Sequence, residues 1–227
     1  MNQRVLQHKL RQISETFPHR TAIETGGRRL TYGDLDKQTD RIAGQLLARG
    51  VGKQTFIGIF MEDRVGIISA LLGILKAGCV FVPLDPAHPA KRLERMIRAT
   101  DLPLVICDTR HIERLEALDI VNRRPVECRL LEELVNAPDI PGGSLPEVTY
   151  GPEDKVYIYF TSGTTGEPKA VLGKNKSLLH FIHWEIGEFH IDETFRFSQF
   201  TAPGFDVFLR DIFVPLCAGA EGDEDVP

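Results

Sequence analysis

The feature that most constrains this chain is a polar loop set between two apolar runs. Val156-Tyr157-Ile158-Tyr159-Phe160 reads as a buried strand, and Ala170-Val171-Leu172 reads as a second one. Between them lie Thr161, Ser162, Gly163, Thr164, Thr165, Gly166, Glu167, Pro168 and Lys169. Glycines let backbone come close to an anion. Successive N–H groups can form an anion-binding concavity. The hydroxyls add donors, and Lys169 adds a positive charge. A phosphate-binding loop is therefore expected. It is not a Walker A loop, which needs G-x-x-x-x-G-K-[ST] opening a helix. Here the spacing is Gly163-x-x-Gly166-x-x-Lys169, and Pro168 disfavours helix at Glu167. The bland alternative, a polar hairpin loop, fits so dense a Thr/Gly cluster poorly.

Helical and strand periodicities alternate along the chain. Leu6, Leu10, Ile13 and Phe17 recur at helical spacing. Thr31 with Asp34 resembles a capping box, and Leu35, Ile42 and Leu46 mark a helix face that Gly50 ends. Strands are expected at 55–60, 79–82, 102–107 and 195–200, and helices at 64–75, 89–99, 176–186 and 205–216. Phe181 and Trp184 are expected in the core of their helix. This alternation predicts an α/β fold with parallel strands. Residues 136–152, rich in Pro and Gly, are expected to form a surface connector between two lobes. The acidic tail, residues 221–227, is expected not to pack.

Four stretches resemble, in order, the adenylate-forming enzymes, and more narrowly the amino-acid adenylation domains of nonribosomal peptide synthetases. The loop resembles T-S-G-T-T-G-x-P-K-G, with Ala170 where the family has glycine. Leu30-Thr31-Tyr32-Gly33-Asp34-Leu35 resembles L-T-Y-x-E-L, and 75–85 resembles L-K-A-G-x-A-Y-V-P-L-D. Phe205-Asp206-Val207 resembles the F-D that opens the family's substrate pocket. The resemblance runs to about residue 220, so 1–220 is expected to be a partial AMP-binding domain and 221–227 a tail outside it. It implies layered parallel-sheet lobes of the family's large N-terminal subdomain, truncated.

The implied reaction joins an amino acid to ATP, giving aminoacyl-AMP and pyrophosphate, with later transfer to a phosphopantetheine carrier protein. Thr161, Ser162, Gly163, Thr164, Thr165, Gly166 and Lys169 would hold the ATP phosphates, which Mg²⁺ normally accompanies. Asp206 would pair with the substrate ammonium. An alternative reading makes it a helix-start acid in the first turn, where the dipole stabilises it. Arg210, one turn on, faces either a substrate side chain, Asp206 or solvent. Nothing here resembles the family's Y-G-P-T-E stretch, its ribose aspartate or its catalytic lysine, so no catalytic residue or metal ligand is assigned. The isolated chain is expected to be inactive in ATP–pyrophosphate exchange. Two other readings stay open: an acyl- or aryl-CoA ligase fragment, which Asp206 disfavours, and a non-catalytic remnant or half of a split protein with a complementary C-terminal half.

Charge and cysteine use narrow the setting. A net charge of -5 gives no electrostatic footprint for nucleic acid. Residues 65–84 are long and apolar enough to raise a membrane span, but Ala77-Gly78 and Pro83 break the run into helix and strand. Cys79, Cys107, Cys128 and Cys217 form no C-x-x-C pair, which suits a cytoplasmic setting. His180 and His183 share a helix face but lack the third ligand a catalytic zinc needs.

Overall fold

The computed structural model describes residues 6–123, 126–138, 145, 148, 150–162, 168–199 and 201–223. The elements run α1 (Leu6–Thr16), β1 (Thr21–Thr25), β2 (Arg28–Thr31), α2 (Tyr32–Ala48), β3 (Phe56–Phe60), α3 (Arg64–Lys76) and β4 (Val80–Pro83). There follow α4 (Ala90–Thr100), β5 (Leu104–Cys107), α5 (Ile112–Glu116), α6 (Asp119–Arg123), β6 (Glu127–Leu130) and α7 (Leu131–Val135). The last are β7 (Lys155–Ser162), β8 (Pro168–Lys174), α8 (Asn175–Glu188), β9 (Arg196–Ser198), α9 (Phe208–Ala218) and β10 (Glu221–Asp223). The expected α/β class is the observed one. Two compact units result, one of Thr39–Val148 with Lys155–Gly173, the other of Met1–Gln38, Thr149–Asp154 and Lys174–Pro227. Most of the expected connector falls outside the described residues.

The first unit is built on a six-stranded sheet in the order β6-β5-β3-β4-β7-β8. Strands β6, β5, β3, β4 and β7 run parallel to one another. Parallel strands buried on both faces read as unbroken apolar runs, and Val80–Pro83 and Leu104–Cys107 are buried at every residue. Val80, Val82 and Val105 pack with Leu93, Met96 and Ile97 of α4. The alternate residues Ile57, Ile59 and Phe81 are equally buried, so neither face is open. Asp63 caps α3 by accepting from the Gly66 N–H at 2.8 Å. The 65–84 run is thus a core helix followed by a core strand. No helix among the described residues is long and apolar enough to cross a membrane.

Two strands of this sheet carry the candidate loop. β7 joins β4 with Phe81 opposite Tyr157, whose rings lie 6.0 Å apart. β8 lies beside β7 at the sheet edge. A connection of five residues is too short for a crossover, so the two strands form a hairpin. The Tyr157 ring lies flat against Gly173, where a Cβ would fall 1.9 Å from Cζ. Only glycine fits there. β8, the edge strand, is less buried than its composition suggests, with Val171 48% and Leu172 37% exposed.

The second unit holds a four-stranded sheet in the order β2-β1-β10-β9. β10 overturns the expectation that the acidic tail does not pack. It runs parallel to both β1 and β9, with Gly222 and Asp223 buried; residues 224–227 lie outside the described set. The reason is charge compensation. Arg196 on β9 pairs with Asp223, with Glu24 on β1 at 3.1 Å and with Glu221 at 3.7 Å. Burial pushes the Glu221 carboxyl up, while the Arg29 hydrogen bond holds Glu24 down. Gly222 admits Gln199, whose Nε2 would lie 2.4 Å from an added Cβ.

Packing against this sheet also uses Pro215 inside α9. Proline has no N–H to give the carbonyl one turn earlier, and that carbonyl, Asp211 O, instead accepts from Gln199 Nε2 at 3.5 Å. Tyr32, the first residue of α2, places its hydroxyl 2.5 Å from Ala220 O at the entry to β10. Thr31 and Asp34 form the expected cap, with the Asp34 N–H donating to Thr31 Oγ1 at 3.1 Å.

Arg196→Ala should take from Asp223, 3% exposed, the cation that faces it from the next strand. Removing one member of such a pair costs about 3–5 kcal/mol, with the half-exposed arginine favouring the lower end. Chemical denaturation should show the loss, and an unchanged midpoint would contradict it. A second test is acid titration. Glu153 bridges Lys174 at 2.7 Å and Lys176, and their hydrogen bonds lower its carboxyl from 4.5 to about 2. A lowered folded-state value means this link is present above about 4.5 and lost as pH falls toward 2. Carbon-detected NMR of Glu153 should show a midpoint well below that of an exposed glutamate; an ordinary midpoint would refute the bridge.

Candidate functional site

The expected phosphate loop has its two ends on neighbouring strands. Thr161 is the penultimate residue of β7 and is exposed; Lys169 is the second residue of β8 and is exposed too. Ser162 ends β7. The Ser162 side chain and Gly163, Thr164, Thr165, Gly166 and Glu167 lie outside the described residues. What holds the two ends is the packing beneath them. Tyr157 sits between Phe81 at 6.0 Å and Tyr159 at 5.6 Å, and Ile158 is buried in the sheet core. A hydroxyl at the end of one strand and a lysine at the start of the next are a donor set suited to an anion.

Asp206 and Arg210 lie in the other unit. Asp206 is not in the first turn of a helix, as the sequence suggests, but in the turn preceding α9. The Leu209 N–H donates to Asp206 O at 3.0 Å, and the Phe208 N–H to Phe205 O at 3.0 Å. The Asp206 carboxylate is exposed and has no hydrogen bond or ion pair with any described residue. Phe205 and Val207 flank it, 66% and 53% exposed.

Arg210 does not pair with Asp206. Its Nε donates to Oε1 of Glu185 on α8. The Glu185 side chain is 2% exposed and that of Arg210 47%. Glu185 Oε2 has no hydrogen-bond partner among the described residues. Arg210 lines a cavity of about 410 Å³, together with Ser198, Thr201, Phe189, Phe195 and Phe197. Arg196 and Asp211 complete the polar lining, and Asp211 Oδ2 accepts from the Thr201 N–H at 3.1 Å. Asp206 does not line it.

Glu185 is the residue that sequence reasoning missed. It sits three residues after Ile182 and seven after Leu178, on the buried stripe of α8, where periodicity calls for an apolar side chain. The stripe runs Leu178, Leu179, Ile182, Glu185, and so turns Phe181 and Trp184 outward. They are 37% and 51% exposed rather than core, and Trp184 lies tilted against Phe181 at 6.2 Å and edge-on to Phe189 at 6.1 Å. A buried acid on an apolar stripe is the available signal, once an arginine is known to face it. His180 and His183 are exposed, and no group of three metal-ligating side chains occurs among the described residues.

Comparison with known proteins agrees with this architecture. The chain is 32% identical over 209 residues to tyrocidine synthase 3 of Brevibacillus parabrevis, covering 92% of this chain and 3% of that protein. It is 31% identical to syringomycin synthase SyrB1 of Pseudomonas syringae pv. syringae, covering 90% of this chain and 32% of that one. Among solved structures, the nonribosomal peptide synthetase FmoA3 with alpha-methyl-L-serine-AMP bound superposes with a TM-score of 0.85 at 26% identity, covering 96% of this chain and 23% of that one. The fold is shared with the N-terminal subdomain of Klebsiella oxytoca NpsA, TM-score 0.81 at 22% identity, covering 96% of this chain and 52% of that one. The chain thus spans a small part of its curated relatives. Residues 10–222 match the family described as AMP-binding enzyme, and the chain belongs to that family.

Proposed function

We propose that this chain is the ATP-phosphate- and amino-acid-binding portion of an amino-acid adenylation domain in nonribosomal peptide synthesis. The observation that carries the reading is the β7–β8 hairpin, which ends one strand at Thr161 and Ser162 and starts the next beside Lys169. Between them Gly163, Thr164, Thr165 and Gly166 supply the small and hydroxyl-bearing residues a phosphate cradle uses. Family membership and a relative with AMPPNP bound support ATP as the nucleotide. Mg²⁺ would ride on the phosphate oxygens, since this cation keeps most of its own waters and needs few protein ligands.

In the reaction proposed, a carboxylate oxygen of the amino acid attacks the α-phosphorus. The bond to the β-phosphate breaks and pyrophosphate leaves. What this chain contributes is positioning and charge balance at the departing phosphates. Asp206, exposed and without a described partner, is suited to the substrate ammonium. Arg210, on the 410 Å³ cavity, is suited to the substrate side chain. A phosphopantetheine carrier protein would take the acyl group, and a complementary C-terminal half would supply the rest of the site. The four free cysteines fit a reducing, cytoplasmic setting.

Titrating ATP or pyrophosphate into the chain and into Lys169→Ala tests the loop. A charge-assisted hydrogen bond contributes about 1.5–3 kcal/mol, so the variant should bind about tenfold or more weakly at low salt, and the gap should narrow as salt rises. Equal affinities in two folded proteins would remove Lys169 from the phosphate role. Asp206→Ala should weaken amino-acid binding about tenfold while leaving ATP affinity unchanged, the loss being modest because the carboxylate is exposed. Loss of ATP binding in step with the amino acid would make Asp206 a structural residue.

A further inference from the structure

We infer that the cavity beside Arg210 selects an uncharged substrate side chain that ends in a hydrogen-bond acceptor, such as a carboxamide, and that Glu185 sets this choice as a positioning residue. The inference rests on the amino-acid reading above. Arg210 Nε is committed to Glu185 Oε1, which fixes the guanidinium plane. An arginine carries five N–H donors and no acceptor. The remaining donors call for acceptor atoms in the ligand, and an apolar side chain would desolvate them without replacement.

Charge decides between the acceptors. The Arg210–Glu185 pair is neutral as a whole, and Glu185 is the buried member. Arg196, the other cation of the lining, already faces Glu24, Glu221 and Asp223. Asp211 adds a buried carboxylate, 6% exposed. A carboxylate ligand would meet no uncompensated positive charge, and an ammonium would meet the Arg210 guanidinium directly. A neutral acceptor avoids both costs, and the rings of Phe189, Phe195 and Phe197 suit the methylenes of its stem.

Isosteric ligand pairs test this without changing shape. L-glutamine against L-glutamate, and L-asparagine against L-aspartate, are titrated calorimetrically into the full chain in the presence of ATP. Each amide should bind at least tenfold more tightly than its acid. Glu185→Gln keeps the acceptor for Arg210 Nε but leaves the pair positive, and should shift the amide-to-acid ratio at least tenfold toward the acids. Arg210→Ala should bring the ratio near one. A Glu185 that only supports the fold would lower all four affinities together and leave the ratio alone, and that result overturns the proposal. So does a wild-type chain that binds the acids as tightly as the amides. If Glu185→Gln does not fold, the wild-type ratio and its collapse in Arg210→Ala decide. Binding that depends on Asp206 but ignores amide against acid defeats this inference alone. No binding of any amino acid by a chain that binds ATP defeats the amino-acid reading with it.

Discussion

The pairing of β7 with β4 is the contact on which the candidate phosphate loop depends. β4 is a four-residue strand buried at every position, so a neighbour must take its register from side-chain packing. Phe81 opposite Tyr157 fixes that register. Tyr157 in turn lies flat on Gly173, so the returning strand is held at the distance of a bare backbone. Thr161 and Lys169 are exposed polar residues, but the position of both follows from an aromatic ring packed on a glycine several residues below them. The loop's chemistry lives at the surface and its geometry is decided in the core.

The second unit solves a different problem. It carries acids where a sheet and a helix would ordinarily be apolar: Asp223 on a central strand, Glu185 and Asp211 on buried helix faces. Each is matched locally. Arg196 serves three carboxylates on β1 and β10, Arg210 serves Glu185, and the Thr201 N–H serves Asp211. Pro215 belongs to the same logic, because the carbonyl it frees is taken by Gln199. Buried ion pairs contribute little net stability against apolar replacements, so what these contribute is a specific arrangement of charge around one cavity.

The parts of this fold that are legible in the sequence are those set by local pattern. The apolar runs at 56–60, 80–83 and 104–107, the Thr31–Asp34 cap and the helix ended by Gly50 all follow from periodicity and turn chemistry. What is not legible depends on partners distant in the chain. Residues 221–223 read as a solvated acidic run because their compensating arginine lies 25 or more residues away. Trp184 and Phe181 read as core because nothing local says that Glu185 will take the buried stripe. Asp206 reads as helical because Pro203-Gly204 mark a start, whereas the chain makes one further turn before α9 begins. In the site, residue types are legible, and the Arg210 partnership is not.

The outward turn of Trp184 has an optical consequence. It is the one tryptophan in the sequence, it lies half-exposed on α8, and the unit that contains the β7–β8 hairpin has none. Its emission therefore follows solvent access at one helix face beside a buried acid. An unfolding curve recorded by that signal describes the second unit and passes over the parallel sheet in silence, so two units that melted at different temperatures would look like a single transition.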